Sequence, residues 1–81
     1  MNWIVYILLC KDKTLYTGIT NDINKRLKLH SRGEGAKYTK GRGPFKVIYK
    51  ENFNSRSLST KREIEIKKLS RKKKLALAKT F

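Results

Sequence analysis

Two tyrosines, an arginine, a histidine and a handful of carboxylates are the groups in this chain whose types and spacing can do chemistry. Tyr6 and Tyr16 fall in consecutive apolar segments that read as a hairpin, so their phenols can face one site. A phenol has a pKa of about 10, and nearby cations lower it, which makes a phenolate general base an option in a basic protein. The plainer alternative is a pair of half-buried strand tyrosines whose hydroxyls find water. Gly18 lies beyond Tyr16 on the same strand face. Glycine inside a strand marks a bulge or the close approach of another group. Arg26 and His30 stand at i and i+4 and therefore share one face of a helix. A guanidinium there can grip two phosphate oxygens with a fork that keeps its charge, with an imidazole beside it. Otherwise they are a solvated arginine and a boundary histidine.

The acids are few: Asp12, Asp22, Glu34, Glu51, Glu63 and Glu65. Asp12 sits in a turn and Asp22 at a helix start. Glu63 and Glu65 lie about 200° apart around their helix, so they cannot serve one site together. Glu63 has Lys67 at i+4, an arrangement that on its own forms a surface ion pair of about 0.3–0.5 kcal/mol. A single cysteine and a single histidine exclude an internal disulfide, a Cys-pair zinc site and a His-rich metal site. Cys10 reads as a small apolar strand residue. No Ser-His-Asp set and no phosphate-loop signature is present. Gly33, Gly35, Gly41 and Gly43 read as loop punctuation, while Lys37, Lys40 and Arg42 among them suit contacts to a phosphate backbone.

The elements that must position these groups are legible from pattern. Residues 3–10, WIVYILLC, form a strand apolar on both alternating faces, the mark of a central strand covered on both sides. Trp3, Val5, Ile7 and Leu9 line one face, and Ile4, Tyr6, Leu8 and Cys10 the other. A polar break at 11–13 leads to a second strand over 14–20. Asn21 is expected to cap a helix, with Asp22 in its first turn, that carries Ile23, Leu27 and His30 and ends by Gly33. A loop follows over 31–44. Residues 45–53 alternate Phe45, Val47 and Tyr49 against Ile48, as a third strand does. Asn54 and Ser55 cap a second helix with Leu58, Ile66 and Leu69 near one face. A break at Ser70 or Arg71 precedes a last short helix with Leu75, Leu77 and Ala78. The order is β-β-α-β-α-α, an α+β fold: a small three-stranded antiparallel sheet flanked by helices.

The 81 residues of the chain suffice for one domain over 1–81 and leave no room for a nucleotide-binding domain beside a substrate domain. The 21 Lys+Arg and 6 Asp+Glu give a formal charge of +15. Self-repulsion on that scale destabilises a compact state, so a polyanionic partner is expected: nucleic acid first, an anionic membrane surface second. The charge is concentrated in the second half, net +10 over 41–81 against +5 over 1–40, and Lys67, Arg71 and Lys72 are its candidate phosphate contacts. Apolar residues run through that half, so it does not read as a disordered tail. The N-terminal apolar stretch has no preceding Lys or Arg and no small-residue cleavage site, and no run reaches the ~18–20 residues of a membrane span. The chain reads as soluble and cytoplasmic, without a membrane or a disulfide-linked partner.

VYIL at 5–8, LYTGIT at 15–20, RLKLH at 26–30, GAKYTKGRGP at 35–44 and REIEIKKLSRKKK at 62–74 together resemble the GIY-YIG nuclease family, in particular its small single-domain bacterial branch. The likeness runs over nearly the whole chain in the expected order. It implies the same sheet and helices, and metal-dependent hydrolysis of a phosphodiester in one strand of DNA. By resemblance Tyr6 and Tyr16 match the tyrosines of the first and second motifs, and Gly18 matches the motif glycine. Arg26 matches the catalytic arginine, and Glu63, not Glu65, matches the metal-ligand glutamate. His30 matches a histidine frequent in this branch. The first-motif glycine is Val5 here and the second-motif isoleucine is Thr17, changes that remove no functional group. No asparagine follows Asn54, where several nuclease members carry one, and there is no separate DNA-binding domain. One carboxylate implies one ion, Mg²⁺ or Mn²⁺, largely hydrated. The resemblance favours an endonuclease, structure-selective rather than sequence-specific. A non-catalytic nucleic-acid-binding module on the same fold is the alternative. A cationic protein that binds a partner protein or membrane has only the charge in its favour.

Overall fold

The computed structural model describes residues 2–80. Three strands form one antiparallel sheet in the order β2-β1-β3. They are β1 (Trp3–Leu9), β2 (Leu15–Thr20) and β3 (Lys46–Phe53). The doubly apolar β1 is the central strand, and Val5, Tyr6, Ile7 and Leu8 are wholly buried. Helices α1 (Ile23–Ser31), α2 (Arg56–Lys67) and α3 (Arg71–Ala78) complete the order expected from pattern.

The register sorts side chains onto two faces. Tyr6 pairs with Gly18 and Leu8 with Tyr16, while Val5 pairs with Ile19 and Ile7 with Thr17. On one face Val5, Ile7 and Tyr49 pack with Ile66 of α2, and Leu77 and Ala78 of α3 join them. This cluster is the hydrophobic core. Tyr6 and Tyr16 lie on the opposite face, where α1 delivers His30.

Local rules explain the helix ends and three departures from simple pattern. Asp22, not Asn21, caps α1: its backbone is extended, and its carboxylate accepts from the Lys25 amide at 3.1 Å. The Thr20 hydroxyl takes the Asp22 amide at 3.1 Å, which moves the helix start along by one residue. Ser55 caps α2 through the Leu58 amide, and Ser70 caps α3 through the Lys73 amide. In β3 the register slips between Ile7 and Leu8 of its partner: Ile7 opposes Tyr49 and Leu8 opposes Val47. Ile48 is the extra residue of a bulge. Strict alternation sets Ile48 against Tyr49, yet both pack on the core. Leu58 is 49% exposed instead of joining Ile66. The buried face of α2 is carried by Ser59 and Ile66, and Leu58 sits about 100° away from Ser59. Within the loop after α1, Lys37–Thr39 form a 3-10 turn that pattern did not anticipate.

Candidate active site

The site is assembled around the phenol of Tyr6. Its strand position fixes the ring over Gly18 on β2. A Cβ built on Gly18 would lie 2.7 Å from the Tyr6 hydroxyl and 2.9 Å from Cε2 of Tyr16. The glycine is therefore required by close approach, since real Cβ atoms do not tolerate such contacts. Tyr6 and Tyr16 have ring centroids 6.3 Å apart. The two phenols share one site face, as the hairpin predicts.

From α1, His30 places its Nε2 2.9 Å from the Tyr6 hydroxyl. His30 is 1% exposed and is ringed by Tyr6, Tyr16 and Phe45, with centroids 5.3–6.0 Å away. One turn earlier, Arg26 donates an Nη2 hydrogen to the Gly35 carbonyl at 2.6 Å, and its charge acts on the Tyr6 phenol. Its Nε is buried and has no protein partner. An unpaired buried donor costs about 1–3 kcal/mol, and an anion at the site would relieve that cost. The i, i+4 spacing thus brings both α1 groups to the Tyr6 phenol.

The electrostatics run against one expectation. Cations were expected to lower the tyrosine pKa, but burial pushes Tyr6 up to about 12. Arg26 opposes that rise without overcoming it, and Tyr16 and Glu63 add to it. Desolvation of the phenolate is the dominant cause. His30 is displaced downward, by burial first and by the Arg26 charge second, so its imidazole is held neutral. A neutral imidazole beside a neutral phenol is the resting arrangement.

Glu63 lies on α2 with its side chain only 18% exposed, and its charge reaches the Tyr6 phenol. It also pairs with Lys67 at 3.5 Å, the surface ion pair that spacing alone predicts. Glu65 points elsewhere: it is 64% exposed and pairs with Arg62. Among the described residues no group of three or more His, Cys, Asp or Glu side chains gathers to hold a metal. A lone carboxylate only 18% exposed suits a hard cation that keeps most of its water, and it does not suit an all-protein cage.

Of the basic candidates, Lys67 lines a cleft with Leu15, Tyr16, Thr17, Tyr38 and Lys74. Arg71 borders the adjoining hollow with Tyr38 and Lys74. Lys72 is exposed on α3 and lines neither hollow; Lys37 and Lys40 are exposed in the loop. Arg42 differs: it pairs with Asp12, donates to the Tyr38 carbonyl and lies over the Tyr38 ring at 4.8 Å. Those contacts make it part of the loop scaffold.

Sequence reasoning passed over Tyr38, Thr39 and Lys74. Tyr38 is 46% exposed and stacks on Tyr16 at 25° between ring planes. Thr39 is fully buried, with its hydroxyl 2.8 Å from His30 Nδ1. The signal for both was their place in GAKYTKGRGP, one of the segments that carry the family resemblance, but nothing in that stretch assigned either a role.

Residues 2–76 match the family model described as the GIY-YIG catalytic domain. The chain is similar to the UPF0213 protein CPE1444 of Clostridium perfringens, 56% identical over 77 residues, covering 95% of this chain and 82% of the relative. It is 53% identical over 70 residues to the UPF0213 protein NP_0776A of Natronomonas pharaonis, covering 86% of this chain and 82% of the relative. Among solved structures it is similar to the solution NMR structure of the UPF0213 protein BH0048 from Bacillus halodurans, with a TM-score of 0.63 and 49% identity. That likeness covers 99% of this chain and 85% of the other. The solution NMR structure of EF2693 from E. faecalis gives a TM-score of 0.66 at 37% identity, over 99% of this chain and 86% of that one.

Proposed function

The chain belongs to the GIY-YIG catalytic-domain family, and from that premise we propose that it is a metal-dependent endonuclease that hydrolyses a phosphodiester in one strand of DNA. The observation that carries this reading is the Arg26–Tyr6–His30 cluster, in which a buried phenol hydrogen-bonds an imidazole and feels the charge of a guanidinium fixed on the Gly35 carbonyl.

Burial raises Tyr6 to about 12, so the resting form is the neutral phenol. The proton moves through Tyr6. As water attacks phosphorus, its proton passes to the Tyr6 oxygen while the Tyr6 proton passes to His30 Nε2. The new P–O bond forms as the bond to the leaving oxygen breaks. Tyr16 borders the phenol and limits water around it. Arg26 offers its charge to the phosphoryl oxygens as they gain electron density. Glu63 would hold one Mg²⁺ or Mn²⁺ ion, which when bound supplies positive charge to the leaving oxygen. Lys67, Lys74 and Arg71 line the clefts beside Tyr16 and Tyr38, where they can follow the phosphates flanking the scissile bond. Contact through backbone charge favours selection by substrate shape over base sequence.

The test is incubation with labelled duplex, nicked, flapped and single-stranded DNA and their RNA counterparts, with Mg²⁺, with Mn²⁺ and with chelator. Metal-dependent cutting of a DNA strand supports the reading. Binding without cutting under every metal transfers the chain to the non-catalytic module on the same fold.

A further inference from the structure

A relay through His30 works only if its Nε2 carries a free lone pair when Tyr6 gives up its proton. In neutral imidazole one ring nitrogen bears hydrogen and the other does not, and the partner of the second nitrogen decides which. The partner here is Thr39. Its Oγ1 lies 2.8 Å from His30 Nδ1 and 3.0 Å from the Ala36 carbonyl oxygen. Thr39 and His30 are both buried, at 0% and 1% exposed.

We infer that Thr39 is the positioning residue that fixes His30 in the Nδ1–H tautomer, so that Nε2 is open to the Tyr6 proton. The hydrogen count gives the direction. A carbonyl oxygen can only accept, so the Thr39 hydrogen is best placed on Ala36. The hydroxyl oxygen then accepts from Nδ1–H. Nε2 is left bare and accepts from Tyr6. The chain runs Tyr6 to His30 to Thr39 to Ala36, and each donor meets an acceptor. In the reverse direction the Thr39 hydrogen would turn from Ala36 to Nδ1, Nε2–H would donate to the Tyr6 oxygen, and the phenol hydrogen would lose its acceptor. A buried donor without an acceptor is costly, and that decides between the two.

The segment that carries Thr39 also backs the imidazole. A Cβ on Gly35 would sit 2.5 Å from His30 Nδ1 and 2.8 Å from the His30 backbone nitrogen. The same glycine's carbonyl anchors Arg26. Residues 35–39 therefore set both α1 groups at once, and a side chain at Gly35 would displace the ring that Thr39 holds.

The inference rests on the proposed relay, and the chain's single histidine makes it measurable apart from activity. Long-range ¹H–¹⁵N spectra of the ¹⁵N-labelled full chain read which ring nitrogen bears the proton. In the parent the proton is expected on Nδ1. Thr39→Val keeps the shape and removes the hydroxyl. It should shift the population toward Nε2–H and lower kcat about 10- to 100-fold with KM unchanged. Thr39→Ser should restore the parental tautomer and turnover. A parent proton on Nε2 overturns the inference whatever the variants do, as does a Thr39→Val chain with parental tautomer and kcat. A parent that shows Nδ1–H but never cuts DNA supports the tautomer assignment and removes the nuclease reading, so the two failures are distinct.

Discussion

Tyr6 is pulled two ways: burial holds its proton on, and Arg26 draws negative charge toward the same oxygen. The hydroxyl is the contested atom, and Tyr6→Phe removes it alone. Cleavage should fall at least about 100-fold, equivalent to about 2.7 kcal/mol of transition-state stabilisation. Stability should fall by about 1–3 kcal/mol, the cost of leaving the buried His30 nitrogen unpaired, and the melting temperature falls with it. Cleavage assays beside thermal melts check both, and unchanged cleavage would return Tyr6 to a strand tyrosine. His30 adds a pH signature. Its pKa is depressed in the fold, by burial and then by Arg26, so the unfolded chain binds the proton more readily. Stability is full above the unfolded value of about 6.5 and is lost as pH falls through it toward the folded value. In the proposed relay the same neutral ring accepts the Tyr6 proton, so the acid limb of kcat should lie below about pH 6.5. Urea midpoints across that range should decline in the parent and decline less in His30→Gln.

The hairpin and α1 form one device, because Gly18 lets the Tyr6 ring cross β2 to meet the helix. Gly18→Ala should drive Cβ into the Tyr6 hydroxyl and the Tyr16 ring, which lie at 2.7 and 2.9 Å from it. The expected result is about 1–3 kcal/mol of lost stability by denaturant titration, with a large fall in cleavage as the phenol moves off His30. These elements were legible before folding because their signals are local. The doubly apolar run at 3–10 announces a central strand, and the i, i+4 spacing puts Arg26 and His30 on one face. The Ile48 bulge was hidden because pattern assumes unbroken alternation and the extra residue is decided by pairing with β1. Thr39 was hidden for a different reason. Its role depends on a contact across nine residues of loop, and no periodicity reports how a loop closes on a helix. The direction of the Tyr6 shift was misjudged because net charge is visible in a sequence and desolvation is not.

At the scale of the molecule the basic excess has two expected effects. With +15 on 81 residues, DNA binding should weaken steeply with salt, since each neutralised phosphate releases about 0.9 counterion. The slope of log K against log[salt] should be about −4 to −8, and a flat response in a binding titration would remove nucleic acid as the partner. Arg71→Ala with Lys74→Ala should make the slope shallower by about 1–2 while leaving the Tyr6–His30 pair intact. Charge alone treats Glu63 and Glu65 as equals, because removing either one strengthens binding slightly. The nuclease reading separates them by position, one 18% exposed on α2 and the other 64% exposed. The most direct test is therefore single-turnover cleavage and DNA binding measured side by side for the parent, Glu63→Gln and Glu65→Gln in Mg²⁺ and Mn²⁺. The account predicts that all three bind, that Glu65→Gln cuts like the parent, and that Glu63→Gln cuts at least about 100-fold more slowly. Parental cutting by Glu63→Gln would contradict it and leave that carboxylate as the ion-pair partner of Lys67.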